Sequence, residues 1–201
     1  MKKLLQALSV GLVFLVLCGF GYPLLVLGIG QAAFPKQANG SMVSVGGRIV
    51  GSELIGQDFK DARFFHGRVS AIHYNTFPAG TAGSNLLPAS GSSNYAVSSK
   101  NLENRVKTDV AAFLKQNPGV SEKDLPSDLF TSSYSGLDPD ISPAAAQVQA
   151  DRIVKAAGIP KDEIKRIICD NTEKRALGIF GEIRVNVLKA NLEIYKLLQN
   201  K

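Results

Sequence analysis

Asp138 and Asp140 flank Pro139, the nearest this sequence comes to a catalytic pair. Two carboxylates at that spacing can hold a cation or divide acid and base work between them. They also have a plainer use. Asp-Pro sequences form turns, and Asp140 or Ser142 can cap a helix that opens at Pro143. The turn-and-cap reading is the stronger. Just upstream, Ser132, Ser133, Tyr134, Ser135 and Gly136 could present hydroxyls and amides to an anion, or form an interface loop. Arg63, His66 and Arg68 make a local positive cluster beside Phe64 and Phe65, a contact for lipid headgroups, for an acidic partner, or for nothing specific. His66 and His73 have no second ligand pair nearby, so a metal site is not expected. The sequence holds no G-x-x-x-x-G-K-[ST] phosphate loop, no G-x-S-x-G elbow and no H-E-x-x-H pair. No residue is assigned a catalytic, cofactor-binding or metal-ligating role.

The elements that must position these residues begin with an apolar segment. Lys2 and Lys3 precede an uncharged run from Leu4 to Phe34. A spanning helix needs ~20 apolar residues, so this run is long enough to cross a bilayer with tilt or an emerging end. A cleavable signal has a shorter apolar region and a small-x-small site. Here the candidates near Gln31, Ala32 and Ala33 follow a Pro and several bulky residues, so a retained anchor is expected. Lys2 and Lys3 before the span, against Lys36 after it, favour a cytoplasmic N-terminus and a domain outside. Gly11, Gly19, Gly21, Gly28 and Gly30 would let another helix approach closely. Tyr22 and Pro23 mark a kink or an interfacial level. The expected division is a membrane segment over 1–36 and one soluble domain over 37–201, with a polar loop at 75–99.

Composition narrows the function. Net charge is +6, and three of the positives flank the span. The rest is too mild and too mixed in sign to argue for nucleic acid as a partner. Cys18 lies in the apolar run and Cys169 far along the chain, so no structural disulfide is implied.

Within the domain, Met42–Val45 and Arg48–Ile55 read as short strands broken by turns at Gly46-Gly47 and Gly51-Ser52. Phe59, Phe64 and Phe65 are expected to seat this segment on the core. Residues 99–117 carry Leu102, Val106, Val110, Phe113 and Leu114 at helical spacing. Ser121 with Asp124 suggests a capping box. A helix over 144–157, capped by Ser142 and ended by Gly158, precedes one opened by Pro160. Residues 172–184 fit neither pattern, and Val185–Leu198 reads as a last helix with Asn186 as a cap. The fold class is one N-terminal transmembrane helix followed by a single mixed α/β extracytoplasmic domain with a small sheet and several helices.

These residues carry a resemblance across nearly the whole chain. Gly21-Tyr22-Pro23-Leu24, Gln31 to Pro35 and Asn39-Gly40-Ser41 come first. Gly51 to Gln57 with Phe59, then Phe64 to Arg68 with Ser70-Ala71, then Gly83-Ser84-Asn85 follow. Ser135-Gly136-Leu137-Asp138-Pro139 with Ile141-Ser142-Pro143 is the most specific block, and Val185 to Leu188 with Asn191-Leu192 closes the order. In this the chain resembles the C subunit of the Kdp potassium-transporting ATPase family. Two departures stand out: Val69 where the family usually has Pro, and Asp140 where many members have His. The second argues against any role needing an imidazole there.

The resemblance implies a non-catalytic accessory subunit of a high-affinity, ATP-driven potassium uptake complex in the bacterial cytoplasmic membrane. It implies a potassium-selecting channel-like subunit and a P-type ATPase subunit as partners, with the lipid bilayer and a small additional membrane peptide. ATP and potassium are used by the complex, and neither is assigned to this chain. The family's C subunit is described as needed for assembly and activity and as raising the nucleotide affinity of the ATPase subunit. Gly21, Tyr22, Pro23, Gln57, Arg68, Ser84, Asn85, Ser135, Gly136, Asp138, Pro139, Ser142 and Pro143 are its interface or structural candidates here. Two other readings are a tethered extracytoplasmic binding module unrelated to the pump and a tethered hydrolase using Asp138, Asp140 and a serine.

Overall fold

The computed structural model describes residues 1–76 and 87–200. The Gly83-Ser84-Asn85 block, and with it the 77–86 part of the polar loop expected at 75–99, therefore lies outside the described residues. Two compact units result, Met1–Ser52 and Glu53–Lys201.

The first unit opens with α1 (Lys2–Val16) and α2 (Tyr22–Ala33), joined by a π-helical turn at Leu17–Gly21. Together they form one helix, Lys2–Ala33, long and apolar enough to cross a membrane, with none of its most apolar window buried within the chain. The turn sits where Pro23 demands it. Proline has no N–H to donate, and its ring collides with the preceding turn of a regular helix. An i→i+5 bond from Tyr22 N to Leu17 O takes up the extra residue. A short α3 (Pro35–Ala38) follows. Asn39 Nδ2 donates to Gln31 Oε1 at 3.1 Å and to Pro35 O at 2.6 Å, so two of the sequence blocks meet here. Strands β1 (Met42–Val45) and β2 (Arg48–Ser52) pair antiparallel. Gly46 and Gly47, at φ +57 and +77, supply the mirror-image turn that a two-residue hairpin needs. The second turn expected at Gly51-Ser52 does not form. Both residues pair in the ladder, opposite Val43 and Met42, and a bulge between Val43 and Ser44 absorbs the irregularity instead.

The second unit holds four further helices and one small sheet among the described residues. These are α4 (Lys100–Gln116), β3 (Asp140–Ile141), α5 (Pro143–Ala157), α6 (Lys161–Asp170), β4 (Thr172–Glu173), β5 (Arg184–Asn186) and α7 (Val187–Gln199). The sheet runs β3-β5-β4, antiparallel throughout. Ser142 Oγ accepts from Ala145 N at 3.0 Å, as a hydroxyl cap should, and Gly158 ends α5 in the left-handed region. Asn186 caps α7 by accepting from Lys189 N. That helix starts later than its apolar spacing suggests: Val185 belongs to β5, fully buried between Ile141 and Thr172. The turn at Glu122–Asp124 exists, but Ser121 makes no side-chain cap bond, so the capping box is absent. The core gathers Phe65, Ile141, Ile153, Ile164, Ile167, Val185 and Ile194, with Phe59 and Phe64 packed on its edge. Phe113 and Phe130 meet edge-to-face at 5.6 Å.

Candidate functional site

The block from Ser133 to Pro143 is a junction into which four chain segments lock. Ser133 Oγ accepts from Gly136 N at 3.0 Å, and Ser135 Oγ accepts from Leu137 N at 3.1 Å. The amides of Gly136 and Leu137 are thus spent on neighbouring hydroxyls rather than facing an anion. Gly91 N donates to Ser135 O, Ser133 N to Val69 O, and Gly56 N to Leu137 O. Ser70 Oγ donates to Gly136 O at 2.7 Å. Gly136 has φ +70, and a Cβ there would lie 2.6 Å from Ile72. Gly56 is still tighter, since a Cβ would lie 2.3 Å from Asp138 O and 2.6 Å from the Tyr74 ring.

The two carboxylates do not converge as an acid–base pair. Asp138 Oδ2 accepts from Arg68 Nη1 at 2.8 Å, and its Oδ1 closes a turn on Asp140 N at 3.1 Å. Asp140 pairs with Arg184 Nε at 2.9 Å and accepts from Asn186 Nδ2 at 3.1 Å. Burial raises the Asp140 pKa, while Arg184 and Asn186 pull it back down. Each acid has its own partner, an arrangement that fixes backbone. Pro139 O accepts from Val187 N, tying the turn to α7. Ser142 Oγ also donates to Asp128 Oδ1 at 3.0 Å, and Pro143 fills the first helical position of α5. Gln57, which follows Gly56 in the chain, is half-buried. A cleft of about 450 Å³ opens here between Arg68, Asp128, Asp138, Glu182 and Arg184.

The expected positive cluster is dispersed. Arg63 pairs with Asp61 at 2.6 Å and lies 5.8 Å from the Phe64 ring centroid. Its guanidinium holds the Asp61 carboxyl at about 2. Arg68 turns to Asp138. His66 is held by its backbone, and burial pushes its imidazole pKa down, helped by the Arg152 charge. Arg63, His66 and Arg68 therefore present no shared anion site. Tyr74 is a packing residue wedged between Gly56 and Gly67, its hydroxyl donating to Arg68 O and its pKa raised by burial. It stands in a left-handed turn with His73 and Asn75, at φ +50 to +54. Asn75 fastens that turn to Ala89 with two bonds, at 2.9 and 3.0 Å.

Three buried polar residues matter as much; Gln149 and Arg152 belong to none of the sequence blocks, and Asn191 enters only as part of the last one. Gln149, fully buried on α5, accepts from His66 N and Arg152 Nη2 and donates to His66 O and Ala145 O. Every capacity of that amide is used. Asn191 clasps Phe65, accepting from its N–H at 2.7 Å and donating to its C=O at 2.9 Å. Arg152 donates to the carbonyls of Ala62 and Phe64 and to Asn117 Oδ1. Burial without a contacting carboxylate lowers its pKa to about 10. Their signal in the sequence is a polar residue on an otherwise apolar helix face: Gln149 beside Ala146 and Ile153, and Asn191 beside Leu188 and Ile194. No group of three metal-ligating side chains occurs among the described residues.

Fold and site define a class: one apolar helix of membrane-spanning length, followed by a small α/β domain whose polar centre serves its own architecture. The sequence model of the KdpC family, described as K+-transporting ATPase, c chain, matches residues 4–196. The chain belongs to that family. It is 49% identical to a potassium-transporting ATPase KdpC subunit of Clostridioides difficile (strain 630), covering 98% of this chain and 99% of the relative. It is 50% identical to the KdpC subunit of Clostridium kluyveri over 97% of this chain and 94% of the relative. A Bacillus cereus (strain ATCC 10987) KdpC subunit is 52% identical over 92% and 91%.

Proposed function

We propose that this chain is a non-catalytic accessory subunit of an ATP-driven, high-affinity potassium uptake complex, required for its assembly and activity. The observation that carries this reading is the KdpC family match over residues 4–196. The match also weighs against a tethered binding module unrelated to the pump. The ion-paired state of Asp138 and Asp140 weighs against a hydrolase. The partners are a potassium-selecting channel-like subunit and a P-type ATPase subunit, with a small membrane peptide and the surrounding lipid. Residues 1–36 anchor the chain and 37–201 form the domain, with Gly21, Tyr22 and Pro23 facing partner helices.

The N-terminus lies in the cytoplasm and the domain outside, as Lys2 and Lys3 before the span favour. A domain outside the cytoplasm cannot touch cytoplasmic ATP. Any gain in nucleotide affinity then reaches the ATPase subunit by conformational coupling. The test is co-purification in mild detergent, with potassium-stimulated ATP hydrolysis measured in the presence and absence of this chain. Two larger membrane chains should accompany it, and activity should be lost without it. A chain that purifies alone, from cells whose pump works in its absence, would overturn the reading.

A further inference from the structure

We infer that the loop over residues 174–183 is a docking knob that seats in an apolar socket on another membrane-embedded protein chain of the same complex. This rests on the accessory-subunit reading. Leu177 is 89% exposed, Ile179 74% and Phe180 64%, with Ile183 at their base also exposed. Large apolar side chains are so arranged when they await a partner. Leu177 also sits at φ +54, a left-handed conformation that costs a bulky residue energy and that glycine or asparagine would adopt freely. Gly178 and Gly181, at φ +77 and +83, hold the loop in this shape. The turn's own hydrogen bonds offset part of that cost, but the Leu177 side chain packs on nothing within the domain and stands in solvent. Strain kept at an exposed apolar apex points to a contact outside the chain.

The backbone agrees. Ala176 and Phe180 exchange both hydrogen bonds, Gly178 N donates to Arg175 O, and Ile179 N donates to Ala176 O. Four amides around the apex, those of Ala176, Gly178, Ile179 and Phe180, are satisfied from within the loop, which lowers the cost of burying that part of it. Charge and area then decide the occupant. At the base, Arg175 pairs with Glu182 at 2.7 Å and Arg184 with Glu173 at 2.6 Å. Such a rim is mixed in sign, and Lys174, exposed at its edge, is the one lysine or arginine of the loop without an ion pair among the described residues. An anionic lipid surface would reward unpaired cations, whereas a protein interface has an apolar centre with a polar rim of this kind. A shape preset by these turns lowers the ordering cost in a fitted socket. The apex exposes on the order of 500 Å² at ~100–200 Å² per large side chain. That is below the ~800 Å² per partner of a stable interface between freely diffusing proteins. The knob therefore suits a partner held nearby by another means, such as a chain anchored in the same membrane, where effective concentration supplies the rest.

The experiment uses the full-length chain co-expressed with the other chains of its transporter. A photo-crosslinking amino acid replaces Leu177 or Ile179, with Asp162 on α6 as the control position. Leu177→Asn and Phe180→Asp are compared by co-purification and thermal melting. Support is a crosslink from 177 or 179, but not 162, to a membrane chain of the transporter identified by mass spectrometry. It is accompanied by at least about tenfold weaker association in F180D, as for loss of an interface hot spot. Leu177→Asn should melt no lower than the parent while associating more weakly, because asparagine accepts the left-handed backbone. Crosslinks to lipid, to a second copy or to nothing, with both variants co-purifying as the parent does, overturn the knob and leave the subunit reading standing. A parent chain that co-purifies with no transporter chain overturns the subunit reading first, and the knob with it.

Discussion

At the level of single residues, the polar centre of the domain holds backbone in place. Gln149→Leu keeps the volume but strands the buried N–H and C=O of His66. A loss of roughly 2–4 kcal/mol is expected from unpaired buried groups, read from the thermal unfolding of the detergent-solubilised chain. Ser142→Ala removes the cap of α5 and should cost about 0.5–2 kcal/mol in the same measurement. His66 gives the pH signature. Its folded pKa lies below the ordinary 6.5, so the unfolded chain binds the proton more readily. Its contribution is complete above pH 6.5 and is lost as pH falls from 6.5 through the lowered folded value. Melting temperatures between pH 8 and 5 should fall in that window, and His66→Gln should flatten the fall. A parent profile as flat as the variant's would refute this. The Asp138-Pro139-Asp140 turn and the Ser142 cap were legible in the sequence because capping and turn formation depend on near neighbours. The partners Arg68 and Arg184 were not, since ion pairs 70 and 44 positions away are set by the fold alone.

Among elements, legibility followed the strength of the local code. Helices α4, α5 and α6 appeared where apolar spacing, Pro and Gly agreed, and the Gly46-Gly47 hairpin followed from turn chemistry. The three-stranded sheet could not be read. Its strands are two or three residues long, too short for alternation, and Val185 is paired only because α5 and α7 bring its neighbours alongside. Gly51 was mistaken for a turn because a bulge permits glycine within a strand. At Gly56 the backbone is set directly against Asp138 O, with no room for a Cβ. Gly56→Ala should force these segments apart and cost roughly 1–3 kcal/mol, with faster proteolysis of the 53–76 region. An unchanged melting temperature would overturn this expectation.

For the molecule as a whole, orientation is testable with a reporter it already carries. Cys169 is exposed on α6, and Cys18 lies within the apolar helix. In a Cys18→Ser chain, a membrane-impermeant thiol reagent should label Cys169 in intact cells, after outer-membrane permeabilisation where one is present. Protection until lysis would place the domain in the cytoplasm. The π-helical turn at Leu17–Gly21 has a consequence of its own. A one-residue insertion into a helix advances everything beyond it by about 100° of azimuth, since a turn holds 3.6 residues. The two halves of the span are thus out of phase and can address neighbours on different sides. Deleting one residue from that turn would leave hydropathy and length almost untouched, yet rotate the second half away from whatever it now faces.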